Sequence, residues 1–304
     1  MTSSTISPLV TPDTRVILVP RRPRTRVWEL DFLRGVSVLL MILDHLVMLL
    51  VTVFGPAWFG SSLSADAPGA GFVRWCEWFL NYSTARKVLH PLVVFVFFSV
   101  SGISCTFSRS NFKRGGILAA LAIVYSLVTH VLAETLAMPY IIVNFGVLHF
   151  YAVAILTYAV IDALTKRSEA LRTAVCAAVA LTVGLLYFLY QPPADAPTWL
   201  GIIFPPRDIH GVQNDFIAGW EISPGDLFTV IPNLASFMFG ATVAPLLYAS
   251  RRSLLPVLDG KWNFPVNFVG KHSLWFFILH IPVLAVILAL VSVLFMTPGD
   301  WVLF

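Results

Sequence analysis

Seven apolar runs of about twenty residues constrain this chain more than any other feature. They fall at about 33–54, 88–107, 116–136, 141–163, 172–190, 226–249 and 273–297. A helix of about twenty residues crosses a hydrocarbon layer roughly 30 Å thick. Lipid offers backbone N–H and C=O groups no partner, so such runs are stable there only as helices. Barrel strands would alternate apolar and polar positions in segments of about ten residues, which these runs do not. The chain therefore reads as an all-α, polytopic membrane helix bundle with about seven transmembrane helices. Composition agrees: 58% of residues are hydrophobic and 12% charged. That is about half the charge of a soluble domain, and it excludes disordered, collagen-like and coiled-coil chains.

The formal net charge is +4, from 20 basic and 16 acidic residues. Its distribution points to membrane topology rather than nucleic acid. Arg15 to Arg34, Arg109/Lys113/Arg114, Lys166/Arg167/Arg172 and Arg251/Arg252/Lys261/Lys271 fall on one side if the spans alternate. The other side holds Arg74, Arg86, Lys87 and Arg207. The positive-inside rule then predicts a cytoplasmic N-terminus and an outside C-terminus. Residues 1–27 form a flexible basic tail whose Arg24 and Arg26, with Arg34, can meet lipid phosphates. Residues 28–304 form the transmembrane domain. Cys76, Cys105 and Cys176 are odd in number and far apart. They read as packing residues, and no metal is assigned.

Two connections are long. Residues 55–87 carry Phe72, Trp75, Trp78 and Phe79, suited to a short helix in the bilayer interface. Residues 191–225 carry six prolines, His210, Trp199, Trp220 and four acids against Arg207. A substrate vestibule or a merely solvated loop would explain them equally. No internal repeat points to inverted halves.

Ionisable groups inside spans are costly and mark candidate sites. The first span reads Leu30-Asp31-Phe32-Leu33-Arg34-Gly35 and continues to Asp44-His45. Eleven residues at 100° each bring Arg34 and His45 to within about 20° of one face, about 16 Å apart along the axis. That matches, on the order of magnitude, the reach from a diphosphate to the end of an extended pantetheine arm. Arg34 could fork onto phosphate oxygens while His45 sits beside a thioester. The plainer alternative is a topology anchor at Arg34 and a structural His45–Asp44 pair. His90 follows Arg86 and Lys87 at the mouth of the second span and reads as an interfacial histidine or a base. His130 and Glu134 share a face of the third span. Asn144 and His149 sit in the outer half of the fourth. His280 precedes Pro282 at mid-depth in the seventh, either lining a polar path or bonded to a carbonyl freed by the proline. Histidine suits proton transfer near neutral pH.

With these residues in view, the chain resembles the heparan-alpha-glucosaminide N-acetyltransferase family of membrane acyltransferases. The resemblance rests on Leu30-Asp31-x-x-Arg34-Gly35 leading to Asp44-His45, and on Pro91 through Gly102 in the second span. Phe145-Gly146-Val147-Leu148-His149 and Gly270-Lys271-His272-Ser273-Leu274 through His280-Ile281-Pro282 complete it. It spans about residues 28–285. It implies transfer of an acetyl or other short acyl group from acyl-CoA, acetyl-CoA above all, to an amine or hydroxyl of a carbohydrate-like acceptor. It also implies a bacterial inner-membrane location. On that basis His45, with Asp44 orienting it, His90 and His149 are the catalytic candidates. Arg34, Lys271, His280 and Asn144 are the candidates for holding the co-substrate. Lys271 stands where the family usually has arginine, which keeps the charge and loses the planar fork.

Two other classes compete. A proton-coupled transporter could use the same buried His, Asp and Glu groups as a relay. A retinal protein is excluded because 273–297 holds no lysine. Interfacial aromatics could serve a homo-oligomer or contact lipid equally well.

Overall fold

The computed structural model describes residues 7–9, 17–19, 27–60, 69–166, 168–190, 192, 199–205 and 223–293. Arg15, Arg24, Arg26, Arg167, Arg207, His210, Trp220, Asp195, Asp208, Asp215 and Glu221 lie outside the described residues, and with them most of the 191–225 connection. In the N-terminal tail β1 (Ser7–Leu9) pairs antiparallel with β2 (Ile17–Val19), Pro8 opposite Leu18. The alternation of the tail gave no sign of this pairing.

Seven described helices are long and apolar enough to cross a bilayer. They are α1 (Trp28–Leu49), which runs on through a π-turn (Leu50–Phe54) and α2 (Gly55–Phe59), then α4 (Thr84–Thr106) after the shorter α3 (Ala70–Tyr82). α5 (Asn111–Leu136), α6 (Val147–Leu164) and α7 (Glu169–Leu189) follow. After a single turn, α8 (Leu200–Ile203), come α9 (Val230–Leu247), the short α10 (Phe264–Lys271) and α11 (Ser273–Ser292). Their outer faces expose large apolar side chains, among them Ile123, Leu127, Leu181 and Val286. Such a surface is stable only in lipid, so the chain is an integral membrane protein.

Helix ends depart from the apolar runs for identifiable reasons. α1 starts at Trp28 rather than about 33 because its first turn is anchored. Trp28 Nε1 donates to the Leu255 carbonyl at 3.2 Å, and Glu29 Oε1 accepts from the Leu254 N–H at 2.6 Å. α4 starts at Thr84, where the Ser83 side chain accepts from the Arg86 N–H. α6 and α9 start late because the segments before them zip together. Gly225 N–H donates to the Ile142 carbonyl at 2.8 Å and Phe228 N–H to that of Phe145 at 3.4 Å.

Glycine permits two close helix crossings. A Cβ on Gly102 of α4 would run into the Phe237 carbonyl of α9, and one on Gly240 of α9 into that of Ser99. α1 and α10 repeat the arrangement: Gly35 faces the Val266 carbonyl and Gly270 that of Asp31. Backbones in contact are the usual source of helix affinity in lipid, where apolar side chains gain nothing by leaving the solvent. The main core surrounds α4, α6 and α9 with Phe98, Phe150, Phe237 and Met238. Val27, Leu30, Ile103 and Tyr248 close one end, the near end, where α1 begins. Val47, Phe54, Cys76 and Leu288 close part of the opposite, far end. All three cysteines are buried, and burial pushes the Cys76 thiol up.

Candidate functional site

α1 carries His45 toward α11, where its ring meets that of His280 edge to face, centroids 4.8 Å apart and planes at 74°. His45 Nδ1 lies 2.8 Å from the Met41 carbonyl, one turn back. A carbonyl only accepts, so the neutral ring carries its proton on Nδ1 and a lone pair on Nε2. His280 is built the same way, its Nδ1 against the Phe277 carbonyl. That partner is one residue short of Ile278, whose carbonyl Pro282 leaves without its helical donor. His280 Nε2 is enclosed with no hydrogen-bond partner in a residue only 7% exposed. A buried acceptor left this way costs about 1–3 kcal/mol.

Asp44 is engaged by a cation from another helix. Its carboxylate takes a two-pronged bond from Arg86 of α4, 2.6 Å from Nε and 2.9 Å from Nη2, and Arg86 also donates to the Leu80 carbonyl at 3.1 Å. Bidentate pairing fixes both groups and ties α1 to the first turn of α4. His90, one turn further along α4 and exposed, lies within electrostatic reach of both Asp44 and His45. The structure thus brings together four of the sequence candidates, Asp44, His45, His90 and His280, and adds Arg86.

Arg34 sits at the near end, where it is engaged rather than free. It donates to Asp31 Oδ1 at 3.3 Å and to Ser104 Oγ at 2.7 Å. Ser101, one turn before Ser104 on α4, meets the Tyr151 hydroxyl at 3.0 Å. Beside this network an open cleft of about 730 Å³ runs along the start of α1, α10 and the loop before it, its lining including Trp28, Asp31, Asp259, Lys261, Phe264, Asn267 and Lys271. Lys271 reaches the cleft; Arg34 stands behind Asp31 and is not among its lining residues. Asn267 donates to Asn263 Oδ1 at 3.0 Å and keeps a buried Oδ1 with no partner. Two lysines, two carboxylates (Asp31 and Asp259) and aromatic walls give this cleft mixed polarity.

His149 and Asn144 belong to a third place, the far ends of α5 and α6. The Gly146 N–H donates to His149 Nδ1 at 3.3 Å, so the neutral ring keeps its proton on Nε2, 3.1 Å from Ser126 Oγ. Both ring nitrogens are thereby occupied, and in this tautomer His149 has no lone pair to offer. Asn144 is exposed, and its backbone N–H donates to Ser223 Oγ at 2.9 Å. His130 faces the Ser126 carbonyl, one turn back along its own helix, at 2.9 Å. Asp226 closes this end by accepting the Val147 N–H at 2.8 Å, and burial pushes its carboxyl up to about 7. The folded protein therefore holds the Asp226 proton more tightly than the unfolded chain. The stabilisation present at low pH is lost as pH rises from 3.8 to about 7. Asp226→Asn keeps the acceptor for Val147 and removes the titration. Thermal melts between about pH 5 and about pH 8 are expected to fall less steeply for the variant than for the wild type; parallel curves would refute the assignment.

Sequence spacing did not indicate Arg86 as a partner of Asp44, nor Ser104, Tyr151 and Asp226. The available signal for Arg86 was an acid one residue from a buried histidine, which needs a cation from another span.

A family model described as heparan-alpha-glucosaminide N-acetyltransferase, catalytic, matches residues 72–282. The chain belongs to this family and is a membrane acetyltransferase-like protein. The matched stretch runs from α3 into α11 and holds His90, Asn144, His149, Lys271 and His280; α1, with Arg34, Asp44 and His45, precedes it. No curated protein and no solved structure matches the chain.

Proposed function

We propose that this chain moves an acetyl or other short acyl group from an acyl-CoA, held at the near end, to an amine or hydroxyl of a carbohydrate-like acceptor. The charge bias of the loops supports a cytoplasmic near end, on the side that supplies acyl-CoA. The observation that carries the reading is the fixed tautomer of His45. Its Nε2 lone pair is carried by a half-buried ring packed against His280, on the helix that begins at the cleft. The donor supplies an acyl group already activated as a thioester.

The chain's own residues do the rest. Lys261 and Lys271 pair with phosphate oxygens at the cleft, and Trp28 and Phe264 give a heterocycle apolar walls. His45 Nε2 removes the proton from the attacking amine or hydroxyl and returns one to the departing sulfur. The Arg86–Asp44 clamp holds α4 against α1 beside His45. Arg34, engaged with Asp31 and Ser104, stiffens the mouth and adds positive potential there. His149 and Asn144 shape the far end. Family membership does not favour the transporter alternative.

Calorimetry on the detergent-purified chain tests the donor site. Saturable acetyl-CoA binding is expected, weakened about tenfold in Lys271→Ala, as loss of one charge-assisted phosphate contact implies. Folded wild-type protein that binds no acetyl-CoA would overturn the reading.

A further inference from the structure

His280 holds a buried lone pair that a single general base at His45 leaves without a use. His45 and His280 each have Nδ1 tied to a carbonyl of their own helix and Nε2 bare, and the two rings touch. In the uncharged state each ring keeps one nitrogen without a hydrogen bond, and that of His280 is shut away from any partner. A single added proton reverses the situation. Protonating either Nε2 creates an N–H that the other Nε2 accepts once the packed rings tilt toward each other, and every ring nitrogen is then satisfied.

We propose that His45 and His280 act as one proton-holding pair, with His280 a positioning residue that receives and shares the proton His45 takes from the acceptor. This rests on the acyl-transfer reading and deepens it. The acceptor's N–H or O–H bond breaks as its electron pair forms the new bond to the acyl carbon. The proton goes to His45 Nε2 and is shared with His280 Nε2. When the carbon–sulfur bond breaks and its electron pair stays on sulfur, the proton leaves the pair for sulfur, so none is gained or lost over a turnover. The charged and titratable groups facing the pair are Asp44 on α1 and Arg86 and His90 on α4. Asp44 is already neutralised by Arg86, so no free carboxylate among the described residues balances the new charge. The second imidazole disperses it instead.

The test is a titration of the full chain, labelled with 15N-histidine and placed in lipid nanodiscs, with ring signals assigned through His45→Gln and His280→Gln. The expected result is one shared protonation step reported by both rings, and a His45 midpoint displaced by about one pH unit in His280→Gln. Rings that titrate independently, with the His45 midpoint unmoved by His280→Gln, would overturn the pair. Thiol release from acetyl-CoA with glucosamine as the acceptor probe gives the second readout. In His280→Leu, kcat is expected to fall about 100-fold with the acetyl-CoA KM unchanged, and His280→Gln to recover part of the loss. Normal turnover in His280→Leu overturns the pair and leaves the transferase reading standing. Coupled rings in a wild-type protein without turnover overturn that reading for this acceptor and support the pair.

Discussion

His45→Ala is expected to lower acyl transfer about 1,000-fold while leaving a folded protein that still binds acetyl-CoA. The magnitude is that of losing a positioned general base. The fold should survive because the ring makes one bond to its own helix and one ring contact, neither of which joins α1 to its main partners. Those are α10, against Gly35 and Gly270, and α4, through the Arg86–Asp44 clamp. Acetyl-CoA binding should persist because the cleft lies about 20 Å from His45 along α1, taking Asp31 as its deepest lining residue on that helix. The measurement pairs single-turnover thiol release with calorimetry on the same preparation. An active, folded His45→Ala protein would remove His45 from the chemistry.

Gly102→Leu is expected to have a comparably large effect on folding. A leucine there meets the Phe237 carbonyl and the Ala241 amide, both backbone groups, so no rotamer relieves the clash. The α4–α9 crossing must open, and Gly240 on the facing helix loses its close approach to Ser99. Phe98, Phe237 and Met238, all fully buried beside the crossing, would lose packing with it. Overpacking costs typically about 1–3 kcal/mol, and a clash with rigid backbone on both sides belongs at the upper end of that range. Size-exclusion profiles and melts in detergent should show little folded protein. The same change at Gly116, where an added Cβ meets nothing within 4 Å, should be nearly silent. A Gly102→Leu protein as stable as Gly116→Leu would show that the crossing does not depend on backbone contact.

The seven spans were legible because about twenty apolar residues allow one solution in lipid. A short helix in the 55–87 connection was legible from Phe72, Trp75 and Trp78, which α3 exposes. Spacing along one helix placed Arg34 and His45 on a stripe, but periodicity carries no information about which other helix a side chain meets. His280 and Arg86 as neighbours of Asp44-His45 therefore emerged only from the packing. Hydropathy was also silent on engagement: Arg34 had the right depth to meet phosphate, yet Asp31 and Ser104 already hold it. His149 shows a further limit. Its place near a helix start was readable, but the Gly146 N–H that decides its tautomer depends on local backbone geometry.

The π-turn at Leu50–Phe54 sets the phase of α2 relative to α1. A helix advances 100° per residue, and a π-turn accommodates an additional residue without breaking the rod. Recasting that turn in α-geometry with no residue removed would swing everything beyond by about 100°. Trp58 would then point away from the Ser292 hydroxyl that its indole now reaches at 2.7 Å, while His45, upstream of the turn, would keep its heading. One extra residue thus acts as a vernier, letting the two ends of a single rod be aimed independently.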